Sequence, residues 1–183
     1  TETVVSNLGQ EGGFNLDPQI HIPLPKQLDK ARSVLNTLGM DSMLVELESK
    51  LNEAAETATP KAKQLFIEAI NDMTLDDVMA IYNGPDDAAT RYFRSRMSAP
   101  LAQEMKPVVD DSLAGVGALE LYDSVMKQYG KVPFAPEVDL DMSDYVLEKG
   151  MDGIFYYLAT EEAAIRNNPA KHTTDLLKSV FGN

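Results

Sequence analysis

Leu44, Leu47, Leu51 and Ala55 recur three or four residues apart, the spacing that gathers apolar side chains on one face of an α-helix. The same rhythm marks most of the chain. Residues 1–8 read as the end of an amphipathic helix, and Leu28, Arg32, Leu35 and Leu38 mark a helix from about residue 26 that Gly39 stops. The helix built on Leu44 begins at Asp41 and ends before Pro60. Thr59-Pro60 supplies a capping hydroxyl and a proline at the first helical position, which predicts a new start for a third helix with Leu65, Ile67 and Ile70. Thr74 is placed to cap a short helix over residues 75–82, with Asp76 and Asp77 at its positive end.

Gly84-Pro85-Asp86-Asp87 reads as a further start, in which the two carboxylates cover the first-turn N–H groups of a helix over 88–97. Ser98-Ala99-Pro100 predicts a restart or kink, and the pattern then continues to Tyr129 with an interruption at Pro107. A long helix follows over about 143–167, striped by Leu147, Met151, Ile154, Phe155, Leu158 and Ile165. Leu176, Leu177 and Val180 mark a short terminal helix.

Two segments break the helical period. Residues 20–25 (Ile-His-Ile-Pro-Leu-Pro) and 132–140 alternate apolar positions with period two between prolines. Proline confines such runs to extended or edge geometry, so both are expected to lie on the helices as straps, with a small two-stranded pairing between them as an option. Gly150 and Gly153 fall inside the last long helix, where glycine is unfavourable, and a close crossing with another backbone, such as one of the straps, would compensate. The expected fold is mainly α: an irregular multi-helix bundle with one or two short extended segments, a single domain over 1–183.

Composition narrows the partners. With 183 residues and 44% apolar side chains the chain is long enough to bury a core. A net charge of −13, from 29 acids against 16 lysines and arginines, sets the wrong field for nucleic acid and for an anionic membrane surface. No apolar run approaches the roughly 20 residues of a transmembrane helix. The absence of cysteine removes thiolate catalysis, Cys-based zinc sites and disulfides. Residue 1 is Thr, so the expectation is that a leading segment such as a signal peptide has been removed.

Several stretches taken jointly carry a family resemblance: Asp17-Pro18 with residues 20–25, Asp86-Asp87-Ala88-Ala89-Thr90 with Tyr92-Phe93, Pro133-Phe134-Ala135-Pro136 with Val138-Asp139-Leu140-Asp141, Asp144-Tyr145-Val146, Asp152-Gly153-Ile154-Phe155-Tyr156, Thr173-Thr174-Asp175-Leu176-Leu177 and Val180-Phe181-Gly182. Their order and spacing over essentially the whole chain resemble the bacterial family catalogued as domain of unknown function 4197. The resemblance implies an exported protein of Gram-negative bacteria and hence the periplasm. It implies no activity and assigns no functional residue.

The residues themselves offer few chemistries. Asp139, Asp141 and Ser143 stand at alternate positions, as in the opening of a calcium loop. That loop needs Gly at its sixth position and Glu at its twelfth, where this chain has Asp144 and Gly150, so an Asp or Ser helix cap is the better reading. Asp144, Glu148 and Asp152 share one face of the last long helix and call for water, a basic partner or a cation. Of five arginines, Arg91, Arg94 and Arg96 fall in one short stretch beside Tyr92 and Phe93, suited to an anionic ligand or to ion pairs with Asp87 and the acidic row. Ser124-Val125-Met126-Lys127 lacks the companion motifs of a serine acyl-enzyme, and Gly115-Val116-Gly117 lacks the third glycine of a dinucleotide loop. Two histidines, His21 and His172, are too few for a Glu-x-x-His di-iron bundle, and nine scattered methionines fit core filling.

The expectation is therefore a non-enzymatic periplasmic binding or interaction protein with a protein or small-molecule partner and no cofactor. Its candidate ligand-binding residues are Arg91, Arg94, Arg96, Asp144, Glu148 and Asp152, with Asp139 and Asp141 as candidate metal ligands. The alternative is a small hydrolase or metal-dependent enzyme drawing on the acids from Asp139 to Asp152. An enzyme requires these acids to converge in a pocket, and a binding protein requires an apolar groove or patch.

Overall fold

In the computed structural model, which describes residues 2–37, 39–131, 138 and 140–167, the helical periodicity is realised almost throughout. The helices are α1 (Glu2–Leu8), α2 (Lys26–Thr37), α3 (Asp41–Ala58), α4 (Ala62–Asn71), α5 (Leu75–Tyr82), α6 (Ala88–Gly115), α7 (Ala118–Tyr129) and α8 (Met142–Asn167), with a 3-10 turn, Thr59–Lys61, between α3 and α4. The predicted terminal helix around Leu176, the strap residues 132–137, and Leu38, Asp139 and His172 lie outside the described residues.

The long helices α3, α6 and α8 lean on one another, and the shorter ones cover them: α1 on α8 and α4, α2 on α3, α4 and α5 on α6, and α7 on α3 and α6. The stripe Leu44, Leu47, Leu51 and Ala55 of α3 is buried. Where α4, α6 and α8 meet, Phe66 contacts Phe93 and Phe155 edge-on, at 5.9 and 6.1 Å between ring centroids. Met40, Met97, Met105 and Met142 are buried in the core.

Three local expectations are corrected. Thr59 does not cap a new helix: its backbone is helical and its hydroxyl donates to the Ala55 carbonyl at 2.7 Å. The Ala55 carbonyl also accepts from the Thr59 N–H, so the hydroxyl bonds back onto α3 and does not face a new first turn. Nor does α6 restart at Pro100 or break at Pro107, since it runs through both for 28 residues. Each internal proline costs about 3 kcal/mol, but Met97, Leu101, Met105, Val109 and Leu113 form one buried stripe worth about 1.5–3 kcal/mol per side chain, which an interruption would put out of register. The break comes at Gly115–Gly117 instead, where Gly117 adopts φ 74°, a conformation that disfavours any residue with a Cβ.

The third correction concerns the strap. Ile20, Ile22 and Leu24 are buried while Pro23 is exposed, as a period of two predicts. Yet no strand forms among the described residues. The backbone groups that a ladder would use are taken by α3: Ile22 N–H donates to Asn52 Oδ1 and Ile22 O accepts from Asn52 Nδ2, both at 2.8 Å, and Leu24 N–H donates to Glu48 Oε2 at 3.0 Å. Tyr145 of α8 donates to the Pro23 carbonyl at 2.9 Å.

The same strap explains one of the two helix glycines. A Cβ on Gly153 would stand 2.8 Å from the Phe14 ring and 3.3 Å from the Ile20 Cβ, whereas one on Gly150 would meet only Ala55 Cβ at 4.0 Å. The two alanine substitutions should therefore have opposite signs. Gly150→Ala is expected to raise stability by about 0.5–1 kcal/mol through helix propensity. Gly153→Ala is expected to lower it by about 2 kcal/mol, because Phe14 is fully buried and has no room to withdraw. Urea denaturation of both variants checks the pair, and equal effects would contradict the close crossing.

Candidate interaction surface

α5 has an uncommon composition for a surface helix. Its eight residues include Leu75, Val78, Met79, Ala80 and Ile81, yet none of the eight is buried. Leu75 is 84% exposed, Met79 56% and Val78 47%, and α4 adds Ile67 and Ile70 at 40% and 45%. An amphipathic helix ordinarily turns such residues toward the core.

Polar groups at the two ends hold α5 in place. At the N-terminus Thr74 and Asp77 form a reciprocal capping box: the Asp77 N–H donates to Thr74 Oγ1 at 3.2 Å and the Thr74 N–H to Asp77 Oδ2 at 3.0 Å. The Thr74 hydroxyl bond, then its N–H, with smaller help from Tyr92 and Arg96, hold the Asp77 carboxyl below its ordinary range. Burial, then the Asp77 charge, push the Tyr92 phenol up. At the C-terminus Arg166 of α8 donates to the Ile81 carbonyl at 2.7 Å and the Tyr82 carbonyl at 3.5 Å. Arg166 is itself gripped by Glu162 at 2.9 Å.

Glu162 also corrects the expected role of Asp86-Asp87. Those carboxylates do not cover the first turn of α6. Glu162 reaches across from α8, accepting from the N–H groups of Ala89 and Thr90 at 2.8 Å each and from the Thr90 hydroxyl at 2.9 Å. Asp87 binds Arg91 at 2.8 Å and Asp86 accepts from Asn167 at 3.1 Å. The positive end of α6 thus has its anion, supplied by a more buried residue 72 positions away.

Beside α5, a cleft of about 400 Å³ opens between α4 and α6. Leu65, Met97 and Leu101 give it an apolar floor, and Glu68, Asp72 and Asp77 an acidic side, with Arg96 as a cation on the lining. Patch and cleft together suit an apolar segment that carries positive charge. A second cleft, of about 600 Å³, lies between Leu8, Leu16 and Tyr157. There the Tyr157 hydroxyl donates to the Asp17 carboxylate, and this bond, more than burial, pushes the phenol up to about 12.

The residues singled out from the sequence are brought together in pairs. Arg94 meets Asp152 at 2.7 Å and lies 5.1 Å above the Phe155 ring, Arg91 meets Asp87, and Arg96 lies 3.9 Å from Asp77. The three arginines thus serve three different acids. Asp141 caps α8, accepting from the Asp144 N–H at 2.9 Å, and shares the Lys106 ammonium with Asp144. The Asp144 N–H first, then Lys106, lower the Asp141 carboxyl, and Lys106 is raised chiefly by its bond to Asp144. Glu148 is exposed. Among the described residues no three His, Asp or Glu side chains gather as a metal site would require.

Lys106 was not among the sequence candidates. It stands twelve residues after Arg94, as Asp144 stands eight before Asp152, so antiparallel α6 and α8 match cation to anion along one seam. The exposed side of α5 was also missed, because a run with six of eight positions apolar or aromatic defines no single stripe. Ser124 donates to the Glu120 carbonyl within its own helix.

No helix among the described residues is long and apolar enough to cross a membrane. Neither the curated proteins nor the solved structures contain a match to this chain. The family model described as "Protein of unknown function (DUF4197)" matches residues 1–182, the span over which the quoted motifs recur, and the chain belongs to that family.

Proposed function

We propose that the protein is a non-enzymatic binding or interaction protein of the periplasm, which docks an apolar, positively charged segment of a partner on the corner formed by α4 and α5. The observation that carries this reading is the outward apolar side of α5, a helix with no buried residue that is pinned at both ends by side chains. Contiguous exposed apolar surface of this kind characterises interaction sites. The acidic side of the adjoining cleft favours a cationic segment and selects against an acidic one. The carboxylates that an enzyme would draw on support the reading from the other side, since Asp141, Asp144 and Asp152 are each paired with Lys106 or Arg94. The periplasmic placement rests on the exported character implied by the family resemblance.

A synthetic amphipathic helix of leucine and lysine provides the test. Saturable binding is expected by fluorescence anisotropy, weakened at least about tenfold, or ~1.4 kcal/mol, in the Val78→Lys, Met79→Lys double variant. Both positions are exposed, so the melting temperature should hardly change. Absence of saturable binding, or equal binding by the variant, refutes the docking site. Release of the protein by osmotic shock of its native host tests the location, and retention with the cytosol refutes it.

A further inference from the structure

Two side chains of opposite character border the cleft of about 600 Å³ beside α1. Leu16 is 80% exposed and lies against Gly12, whose φ of 81° and missing Cβ leave room for it. Glu161 of α8 is half-buried, yet its carboxylate makes no hydrogen bond or ion pair with any described residue. An exposed leucine is ordinary by itself, and so is an unpaired carboxylate in water. Here both stand on one concavity, over a floor that includes the buried Val4 and Leu8, and its described lining holds no lysine or arginine. We propose that this cleft is a second binding site, which takes a small organic cation: an ammonium group on an apolar stem. The ammonium meets Glu161 and the stem covers Leu16, so one ligand satisfies both.

The walls are set before a ligand arrives. The Tyr157 hydroxyl donates to the Asp17 carboxylate, the Gln19 N–H donates to Asp17 Oδ1 at 2.8 Å, and the Tyr156 hydroxyl donates to Gln19 Oε1 at 3.2 Å. These bonds tie the turn at residues 17–19 to α8, and a preformed wall spares binding the cost of ordering it. Tyr157 and Glu161 stand one turn apart on the same face of α8, so the held carboxylate of Asp17 and the unpaired one of Glu161 both border that side of the cleft. Charge then selects the ligand. Two carboxylates without a cation repel an anion, and the chain's net charge of −13 draws cations toward them. A bare metal ion fits poorly, because it needs several convergent oxygens and gains nothing from Leu16. A neutral ligand leaves the Glu161 charge unpaired. The cleft shares no lining residue with the one between α4 and α6, where Arg96 stands, so the two surfaces are separate.

Hexylamine is the probe, titrated into the isotope-labelled full-length protein and followed by nuclear magnetic resonance. Saturable shifts are expected at the backbone N–H signals of Gly12, Gly13 and Tyr157, and none with hexanoate, which carries the same stem and the opposite charge. Glu161→Gln is expected to weaken the binding at least about tenfold and Leu16→Ser about threefold. Glu104→Gln removes the same charge from an exposed position on α6 and should change the affinity by less than about twofold. Neither Leu16 nor the Glu161 carboxylate carries a bond within the fold, so each variant is expected to keep the melting temperature of the parent. Nα-acetyl-lysine methylamide presents the same ammonium on a peptide backbone. Tighter binding of it than of hexylamine assigns the site to a lysine side chain, and the reverse assigns it to a free amine. No saturation up to about 10 mM, equal losses in Glu161→Gln and Glu104→Gln, or hexanoate binding as tightly as hexylamine each overturn the proposal. The Val78→Lys, Met79→Lys variant should bind hexylamine as the parent does, so failure of this site and failure of docking on α5 are told apart.

Discussion

Glu162→Ala is expected to lower the free energy of unfolding by about 3–4 kcal/mol, among the largest effects of any single substitution outside the apolar core. The carboxylate is a junction. It takes the first-turn N–H groups of Ala89 and Thr90, the Thr90 hydroxyl and the Arg166 guanidinium, and its side chain is only 12% exposed. Its removal orphans two donors at the positive end of α6 and leaves Arg166 a half-buried charge without its anion. For a chain of this size the loss corresponds to a fall in melting temperature of about 10 °C. The consequence should also spread to α5, because Arg166 grips its last carbonyls. Hydrogen exchange is therefore expected to accelerate in α5 as well as at the start of α6. A drop below about 1 kcal/mol by urea denaturation would show that water replaces the carboxylate without penalty.

Asn52→Ala is expected to cost about 3 kcal/mol for a different reason. The Asn52 amide is fully buried and stands in for a β-strand partner: it accepts from the Ile22 N–H and donates to the Ile22 and Glu48 carbonyls, each at 2.8 Å. Alanine leaves the Ile22 N–H and carbonyl buried and unpaired, at about 1–3 kcal/mol for each group. Asn52→Asp should rescue little, since a carboxylate accepts from the N–H but faces two carbonyl oxygens with nothing to donate. Glu56, one turn further on, takes the Phe14 and Asn15 N–H groups at 2.9 Å, and with the bonds of Leu24 to Glu48 and of Tyr145 to the Pro23 carbonyl it is left to hold the segment at its ends. The expected signature is early exposure of residues 20–25 while α3, α6 and α8 remain folded. Simultaneous loss of all helical signal with no change in the midpoint would contradict it.

These two residues mark where reading the chain in order stops being sufficient. The helices were legible because their determinants are local. Leu44, Leu47, Leu51 and Ala55 announce α3 by spacing alone, and Thr74 with Asp77 announces the start of α5 through bonds that span three residues. Asp141 as the cap of α8 follows from the same short-range chemistry. The close approach at Gly153 was also legible, because glycine in a helix interior is unfavourable unless something comes near, whereas the same reasoning failed at Gly150, where a Cβ would meet only Ala55 at 4.0 Å.

What the sequence could not settle were choices among partners of equal local merit. Asp86 and Asp87 were as well placed to cap α6 as any residue, yet Glu162 took the position from across the fold because it is more buried, and a charge-assisted bond strengthens as water is excluded. Pro100 and Pro107 looked like interruptions until the stripe from Met97 to Leu113 was seen buried against neighbouring helices, which outweighs two missing backbone bonds. The pairing of Lys106 with Asp144 and Arg94 with Asp152 required α6 and α8 to be antiparallel neighbours. The exposure of α5 is of the same kind: its composition is apolar, and only the arrangement of the other helices decided that its apolar side would face outward. The sequence by itself determined which segments are helical, because propensity, periodicity and capping act within a few residues. Only the tertiary structure decided which polar groups meet and which apolar face is left open, because those outcomes depend on competition between residues far apart in the chain for a limited buried space.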